Sequence, residues 1–226
     1  MFILAVDTSG GVCSAALLGD NKILSEAYMN DKRTHSETLG PMIDFCLSCA
    51  ELDIRQIDLF ACAVGPGSFT GLRIGIGMMK AFAQASGKPV AGVNTLDALA
   101  YNASGTDELV CPVIDARRGE AYTATYRNGE RISDYRVLPL DDVLAELSGQ
   151  PTVFLGDAAE HYTDKIRGFN SHYRVAHKGI IMQRAGSVGL SGFSMFQKGI
   201  TQDAYSLEPF YLRETQAERL RALKEQ

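Results

Sequence analysis

A glycine-rich segment, VGPGSFTGLRIGIG over residues 64–77, carries the densest chemical signal in the chain. In this segment a strand-like apolar run passes through a turn into a helix. The glycines of the segment would let backbone N–H groups approach a phosphate. Neither standard phosphate motif is complete. Thr70 stands where a dinucleotide-binding loop needs its third glycine, and Leu72-Arg73 follow Gly71 where a P-loop needs Lys-Ser/Thr. The sequence leaves two alternatives, a ligand-facing loop and a tight structural turn.

Two Asp-bearing turns suggest a second kind of chemistry. Asp7 opens the turn DTSGG, whose small and hydroxyl side chains let phosphate oxygens reach backbone N–H groups. Asp115 opens the turn DARRG after another apolar strand. The repeated order of strand, Asp, turn and strand predicts duplicated βββαβαβα halves, as in actin-like ATPases, where both turns grip nucleotide phosphates. The bulky Arg117 and Arg118 argue against a closed ATP site in this chain alone.

Other catalytic groups find little support in the sequence. Ser68 lies in GSFTG, which does not fit the Gly-x-Ser-x-Gly nucleophile elbow. His35 lies at a predicted helix start, where a capping or hydrogen-bonded role is favoured. Cys46 and Cys49 have metal-ligand spacing, but they lie in a helical apolar pattern without a second ligand pair, which favours core cysteines. No serine or cysteine catalysis is therefore expected.

Composition limits the protein class. The 226 residues suit one large or two small domains, and the net charge of −5 argues against nucleic-acid binding by electrostatics alone. The five cysteines are odd in number and suit the reduced thiols of a cytosol. The first residues read as a strand and not as a signal peptide, so we expect a cytoplasmic protein without a membrane segment. Residues 165–198 hold cations and no Asp or Glu, which predicts either a solvated face or a patch for RNA or a partner.

The elements that would position these residues follow from the apolar pattern. The short turns between the first three strand-like runs imply antiparallel pairing of residues 2–7, 12–18 and 23–28. The spacing of Thr34 and Glu37 predicts a capping box for a helix over 34–50. That helix is apolar around most of its circumference, so something is expected to cover its second face. Pro41 predicts a bend in it or its true start.

The rest of the pattern predicts a two-lobed chain. A continuous apolar run over 59–64 predicts a central strand covered on both faces. Further elements are expected in the order helix, strand and helix, over residues 70–86, 89–93 and 95–101. The turn-rich residues 102–107 mark the predicted boundary between a lobe of residues 1–104 and a lobe of residues 105–226. A helix over 214–225 is expected to end the second lobe.

Several motifs occur together and in a fixed order along the chain. They are Asp7-Thr8-Ser9, His35-Ser36-Glu37, the segment 65–73, the segment 114–120, and Pro209-x-Tyr211-Leu212-Arg213. In this combination the chain closely resembles, nearly end to end, the TsaB (YeaZ) family of bacterial tRNA threonylcarbamoyladenosine biosynthesis. The resemblance implies an α/β actin-like ATPase (ASKHA, ribonuclease H-like) fold with two βββαβαβα-type lobes, the second degenerate. It also implies partnership with the catalytic paralogue TsaD and the ATPase TsaE.

The resemblance further implies that this chain performs no transfer chemistry. TsaD-like paralogues carry a metal-binding His-x-x-x-His on the helix after the strand that corresponds to residues 90–93. Thr95 and Leu99 occupy those two positions here, and neither side chain replaces a histidine ligand. We therefore expect no catalytic residue and no metal in this chain, with the metal held by the partner.

The expected function is that of a scaffold subunit that stabilises TsaD and meets tRNA only through the complex. Without its partner, the same face would form a homodimer. The partner interface is predicted at Glu37, Leu39, Met42, Ile43, Cys46, Phe69, Arg73 and Met78. A loop for ATP or ADP at the assembled interface, with no cofactor in this chain alone, is predicted at Asp7, Thr8, Ser9, Gly65, Gly67, Ser68, Asp115 and Arg118.

Two other functions remain as alternatives. The first is an actin-like ATPase or phosphotransferase that uses Asp7 and Asp115. The second is a tRNA-binding module that acts through residues 165–198.

Overall fold

The computed structural model describes residues 1–31 and 33–213. The predicted helix over 214–225 lies outside the described residues.

The first sheet has five strands in the order β3-β2-β1-β4-β5. Strands β1 and β2 and strands β2 and β3 pair antiparallel, and β4 lies parallel to both β1 and β5. The predicted order of strands and helices in this half is confirmed. Its elements are β1 (Phe2–Asp7), β2 (Cys13–Gly19), β3 (Lys22–Met29), α1 (His35–Cys49), β4 (Leu59–Gly65), α2 (Phe69–Ser86), β5 (Val90–Asn94) and α3 (Thr95–Tyr101).

The second sheet repeats the arrangement, with β10-β7-β6-β11-β12 in the places of β3-β2-β1-β4-β5. The strand that follows the β6–β7 turn ends at Thr123, and an inserted hairpin, β8–β9, then pairs with β6 through Tyr126. The predicted pair of lobes, the second less regular, is confirmed. Its elements are β6 (Leu109–Arg117), β7 (Glu120–Thr123), β8 (Tyr126–Arg127), β9 (Glu130–Arg131), β10 (Arg136–Pro139), α4 (Leu140–Glu146), β11 (Thr152–Leu155), α5 (Asp157–His161), α6 (Thr163–Phe169), β12 (Tyr173–Val175) and α7 (Ala185–Gln197).

Helices cover both faces of the first sheet. Side chains of β1 alternate between the faces, so Leu4 and Val6 pack with α1 and α2 while Ile3 and Ala5 pack with α7. Strand β4 is buried along its whole length. Its continuous apolar run is therefore explained by cover on both sides.

The second lobe does not contain everything after residue 104. Helix α7 packs on β1, β2 and β4 of the first sheet. After it, Leu207 joins the core beneath α2, and Val90 and Gln202 pair along the edge of β5. The predicted lobe of residues 105–226 is corrected for this reason, because the open face and edge of the first sheet are covered by residues 185–213.

The start of α1 differs from the capping-box prediction. The Thr34 side chain caps no backbone N–H. Its carbonyl instead accepts hydrogen bonds from Glu37 N at 3.1 Å and Thr38 Oγ1 at 3.2 Å. The helix continues through Pro41, which is exposed, so the carbonyl freed by the missing N–H lies on the solvent side.

No helix in the described part of the chain is long and apolar enough to cross a membrane.

Helix α2 begins against the β1–β2 turn. Ser68 Oγ accepts a hydrogen bond from Gly71 N at 3.2 Å and caps the helix. Thr8 Oγ1 donates to Gly71 O at 2.7 Å. A Cβ at Gly71 would overlap the Thr8 carbonyl oxygen, whereas a Cβ at Gly77, further along the same helix, meets no atom within 4 Å. The glycine at 71 is therefore required by close approach.

Two alanine substitutions in α2 test this requirement. Gly71→Ala should lower the free energy of unfolding by about 1–3 kcal/mol, because backbone must move to admit the methyl group. Gly77→Ala should raise it by up to ~1 kcal/mol, because alanine is the better helix former. Urea unfolding followed by circular dichroism measures both. Equal effects of the two substitutions would contradict the packing argument.

Candidate interlobe cleft

A cleft of about 530 Å³ lies between the two lobes. The β1–β2 turn and the glycine loop form one wall, and the β6–β7 turn with the start of α5 forms the other. Of the residues predicted for a ligand loop, Ser9, Gly67, Ser68 and Asp115 line the cleft. Arg117 lines it in place of the predicted Arg118. Other lining residues are Gly10, Gly11, Phe69, Ile114, Ala116, Tyr122 and Asp157.

Asp7, Thr8 and Gly65 lie outside this lining. Asp7 and Thr8 are buried at 1% exposure each. Gly65 has a φ of 120°, and a Cβ there would overlap the Phe210 carbonyl oxygen. These residues therefore build the wall and do not face a ligand.

The carboxyl group of Asp7 is buried, and only one of its two oxygens is hydrogen-bonded within the described residues. Its Oδ1 accepts hydrogen bonds from Ser9 N at 2.8 Å and from Ser9 Oγ at 2.6 Å. Its Oδ2 has no hydrogen-bond partner among the described residues. Burial raises the pKa of Asp7 to about 6, against the lowering effect of the Ser9 hydrogen bonds and of nearby His35. The group therefore titrates close to neutral pH.

His35 and Gln183 support the same turn from outside the cleft. His35 Nε2 donates to Gly10 O at 2.9 Å, because a carbonyl can only accept. This hydrogen-bonded role agrees with the one favoured by the sequence. Gln183 is buried at 1% exposure beside Gly10, and its amide atoms have no partner among the described residues. No local motif indicates Gln183, because it reaches the turn from the opposite end of the chain.

In the second wall of the cleft, backbone N–H groups donate hydrogen bonds to carboxylates of the same wall. Asp115 Oδ1 accepts from Arg117 N at 2.7 Å, and Asp157 Oδ1 accepts from Asp115 N at 2.9 Å. Asp157 also accepts from Ala158 N at 2.8 Å, and burial raises the pKa of Asp157. Backbone N–H groups that would face a phosphate are thus engaged by carboxylates, which repel anions. These residues do not fit a nucleotide gripped from both sides, and a nucleotide at an assembled interface stays a prediction.

A strap, residues 201–213, joins the two walls. Phe210 N donates to Val64 O at 2.7 Å in the first lobe, and the Phe210 ring packs edge-on against Tyr135 of the second lobe at 5.6 Å. Arg213 Nη1 donates to Ala116 O at 3.0 Å. Arg213 also pairs with Glu120. The strap therefore ties the glycine loop to the β6–β7 turn.

Comparison with known proteins identifies the family. A family model described as TsaD: tRNA N6-adenosine threonylcarbamoyltransferase matches residues 22–219. The tRNA threonylcarbamoyladenosine biosynthesis protein TsaB of Bacillus subtilis is 30% identical over 96% of this chain and 96% of its own length. The chain belongs to the TsaB family. The resemblance seen in the sequence is confirmed, and membership places the chain in tRNA threonylcarbamoyladenosine biosynthesis.

Solved structures agree with the TsaB assignment. YeaZ from Pseudomonas aeruginosa superposes with a TM-score of 0.79 at 30% identity, covering 93% of this chain and 99% of that chain. ROK hexokinase from Thermus thermophilus superposes with a TM-score of 0.53 at 12% identity, covering 88% of this chain and 100% of that chain. At that identity the likeness concerns the fold alone, and it confirms the predicted actin-like α/β class.

The structure corrects the choice of interface residues in this TsaB family member. Four of the predicted contacts lie in the core between α1 and the first sheet, with exposures between 0% and 6%: Leu39, Met42, Ile43 and Cys46. Glu37, Phe69 and Arg73 are exposed, and Met78 is half-buried. Phe45 is 56% exposed on the outer side of α1. An interface on α1 and α2 stays a prediction, and it would use outward residues such as these and not the four in the core.

The two cysteines of α1 also differ in their exposure to solvent. Cys46 is buried and Cys49 is exposed, and neither forms a disulfide. The prediction of a core cysteine is confirmed for Cys46 and wrong for Cys49.

Helix α3 is a packing element between the lobes of this TsaB fold. Thr95 and Leu99 are buried at 0% and 1% exposure. Asp97 accepts hydrogen bonds from Tyr126 OH at 2.6 Å and Tyr135 OH at 2.7 Å, which ties α3 to the β8–β9 region. Among the residues that the structure describes, no three His, Cys, Asp or Glu side chains cluster as metal ligands do.

Three of the six Lys and Arg side chains in the stretch 165–198 pair with acidic residues from outside the stretch. Lys165 pairs with Asp141 at 2.8 Å. Arg174 and Arg184 pair with Glu108 and Glu26, respectively. For these three cations, residues elsewhere in the chain supply the acids that the stretch itself lacks, which favours the solvated-face alternative.

The titration of Asp7 predicts a pH-dependent effect of Asp7→Asn. Because folding raises this pKa from 3.8 to about 6, the stability that Asp7 contributes is fully present below pH 3.8 and is lost as the pH rises through 6. Asparagine keeps the acceptor for Ser9 and carries no charge. The variant should gain about 2–3 kcal/mol over the native chain at pH 7.5.

Urea unfolding between pH 4 and 8 measures this difference, which should shrink toward pH 4. Asp134→Asn, at a side chain that is 100% exposed, is the matched control and should change little. A variant less stable at pH 7.5 would mean that the Asp7 charge is compensated in the native fold.

Proposed function

We propose that this chain is a non-catalytic scaffold subunit that binds and stabilises a TsaD-type threonylcarbamoyltransferase. The assembly transfers threonylcarbamoyl from threonylcarbamoyl-adenylate to N6 of the adenosine 3′ of the anticodon in tRNAs that read ANN codons. The partner holds the metal. TsaE binds through the complex, which is cytoplasmic. This chain meets tRNA only as part of that complex.

The observation that carries this proposal is the position of α3, which packs between the two lobes. The helix that the family resemblance assigns to metal binding in the paralogue is buried here between two lobes. Thr95 and Leu99 have no ligand chemistry to offer a metal, and Asp97 is engaged by two tyrosine hydroxyls. A helix that joins the lobes supports a stabilising role better than a catalytic one.

The proposed contact surface is the outer side of α1 and α2. Pro41 and Phe45 on α1 are exposed, and so is Gly77 on α2, with Met78 half-buried beside it. Phe45 is among the most exposed large apolar side chains of the described chain. A paralogue with the same fold presents matching helices, so the surface also suits a homodimer when the partner is absent.

An actin-like ATPase or phosphotransferase is the second candidate. The observation in its favour is the Asp7 carboxyl group behind the cleft, whose pKa of about 6 would suit a general base. Against it, Oδ1 is engaged by Ser9, and the opposite wall presents carboxylates. ATP turnover by the isolated chain that disappears in Asp7→Asn would favour this candidate, and no turnover would remove it.

The scaffold proposal predicts the effect of one surface substitution. Phe45→Asp should weaken the complex with TsaD of the same organism by ~30-fold or more, because a charge would replace an apolar side chain at the centre of the contact. Size-exclusion chromatography with light scattering detects the complex, and calorimetry gives its Kd. Met42 and Ile43 are unsuitable for this test, because their substitution would disturb the core.

Ile132→Asp is the matched control, since Ile132 is 57% exposed on the second lobe. It should bind like the native chain. Unchanged binding of Phe45→Asp would move the interface off α1, and no complex with the native chain would overturn the scaffold proposal.

A further inference from the structure

Two side chains of α2 and one side chain of the strap form one stack at the start of α2. The Arg73 guanidinium lies over the Phe69 ring at 3.9 Å from its centroid. The other partner of Phe69 is Tyr211 of the strap, with ring centroids 5.4 Å apart and planes inclined by 27°. Arg73 Nε donates to Tyr211 OH at 3.2 Å, which closes the group. The strap thus fixes the position of an arginine on an exposed helix surface.

Arg73 retains unused hydrogen-bonding capacity. Nε has a partner, but no carboxylate of the described residues lies within ion-pair distance of the guanidinium. Arg174, Arg184 and Arg213, by contrast, each pair with a glutamate of this chain. Among residues 1–31 and 33–213, the two terminal nitrogens of Arg73 therefore have no partner and are available to a group from outside.

Preorganisation makes this arginine suited to a planar ligand. Stacking on Phe69 and the hydrogen bond to Tyr211 hold the plane of the guanidinium, so less side-chain freedom is lost on binding. A carboxylate accepts two parallel N–H bonds from such a fork. A lysine ammonium lacks the planar geometry.

We propose that Arg73 is a docking fork for one carboxylate side chain of the partner protein. The proposal rests on the proposed function, since it places the contact at one end of the α1–α2 surface. Phe69 contributes apolar contact beside the ion pair, with 42% of its surface exposed. The partner would supply an Asp or Glu on the matching helix or on the loop before it.

The surroundings favour a single carboxylate over a nucleic-acid backbone. Other exposed positions of α2 are neutral, namely Thr70, Gly77, Ala81, Gln84 and Ala85. Lys80, the other cation of α2, donates to the strap carbonyls of Leu207 at 2.9 Å and Tyr205 at 3.4 Å. On the α2 surface, as far as the described residues show, Arg73 is a single free cation among neutral side chains. It fits one anion, whereas a phosphate backbone needs several cations in a row.

The experiment measures the Kd of the complex with TsaD of the same organism at several salt concentrations. Arg73→Glu should weaken binding by ~100-fold and Arg73→Lys by ~10-fold, because the charge-assisted pair is reversed in one and loses its fork geometry in the other. Tyr211→Phe keeps the ring stack, loses the hydroxyl, and should fall between native and Arg73→Lys. Arg55→Glu, at an arginine side chain that is 85% exposed, is the control and should bind within about twofold of native.

A charge swap identifies the ligand. Combining Arg73→Glu with Asp→Arg or Glu→Arg variants of the partner should restore binding for one partner residue only. Equal binding and equal salt dependence of native, Arg73→Lys and Arg73→Glu would overturn the fork while leaving the scaffold proposal intact. A loss seen only when tRNA is present would overturn it in favour of a phosphate contact. No complex with the native chain would overturn both proposals. Unfolding midpoints of all variants establish that they are folded.

Discussion

The contact between the glycine loop and the β1–β2 turn sets the geometry of the rest of the molecule. Ser68 N donates to Ser9 O at 2.7 Å, and Thr8 Oγ1 donates to Gly71 O at 2.7 Å. These bonds leave no room for a side chain at Gly67 or Gly71. They fix where α2 begins, and they form one wall of the cleft. The direction of α2 then determines which residues reach the surface and which join the core.

The two walls of the cleft come from matching parts of a duplicated architecture but differ in their chemistry. The two sheets have the same strand order, so both turns meet across the cleft as they do in a duplicated actin-like fold. The first turn remains small and polar, but Asp115 and Asp157 take up the backbone donors of the second. The lobes are held together by the strap and by α3. These two contacts connect the walls of the cleft through residues that are far apart in the sequence.

Local signals predicted the elements of the first sheet and their order, because strand length, apolar periodicity and glycine content are properties of neighbouring residues. They did not predict which side of α1 is covered, since a helix apolar around most of its surface gives no preferred face. Leu39 and Met42 are therefore core residues, and Phe45 is exposed. The capping box failed because the Thr34 carbonyl, and not its hydroxyl, meets the first turn. Gln183 supports the β1–β2 turn and the strap joins the two walls through contacts between residues far apart in the sequence, which no local pattern encodes.

The position of α7 on the first sheet has a consequence for folding during translation. The face of the first sheet that carries Ile3, Ala5 and Leu18 is covered by a helix that begins at Ala185. On the ribosome, at ~5–20 residues per second, the second lobe is made before that helix emerges. For several seconds the first lobe therefore exposes an apolar sheet face while its other face is already covered. The first lobe is begun first and completed last, so the nascent chain depends on finishing translation promptly or on a chaperone to shield that face.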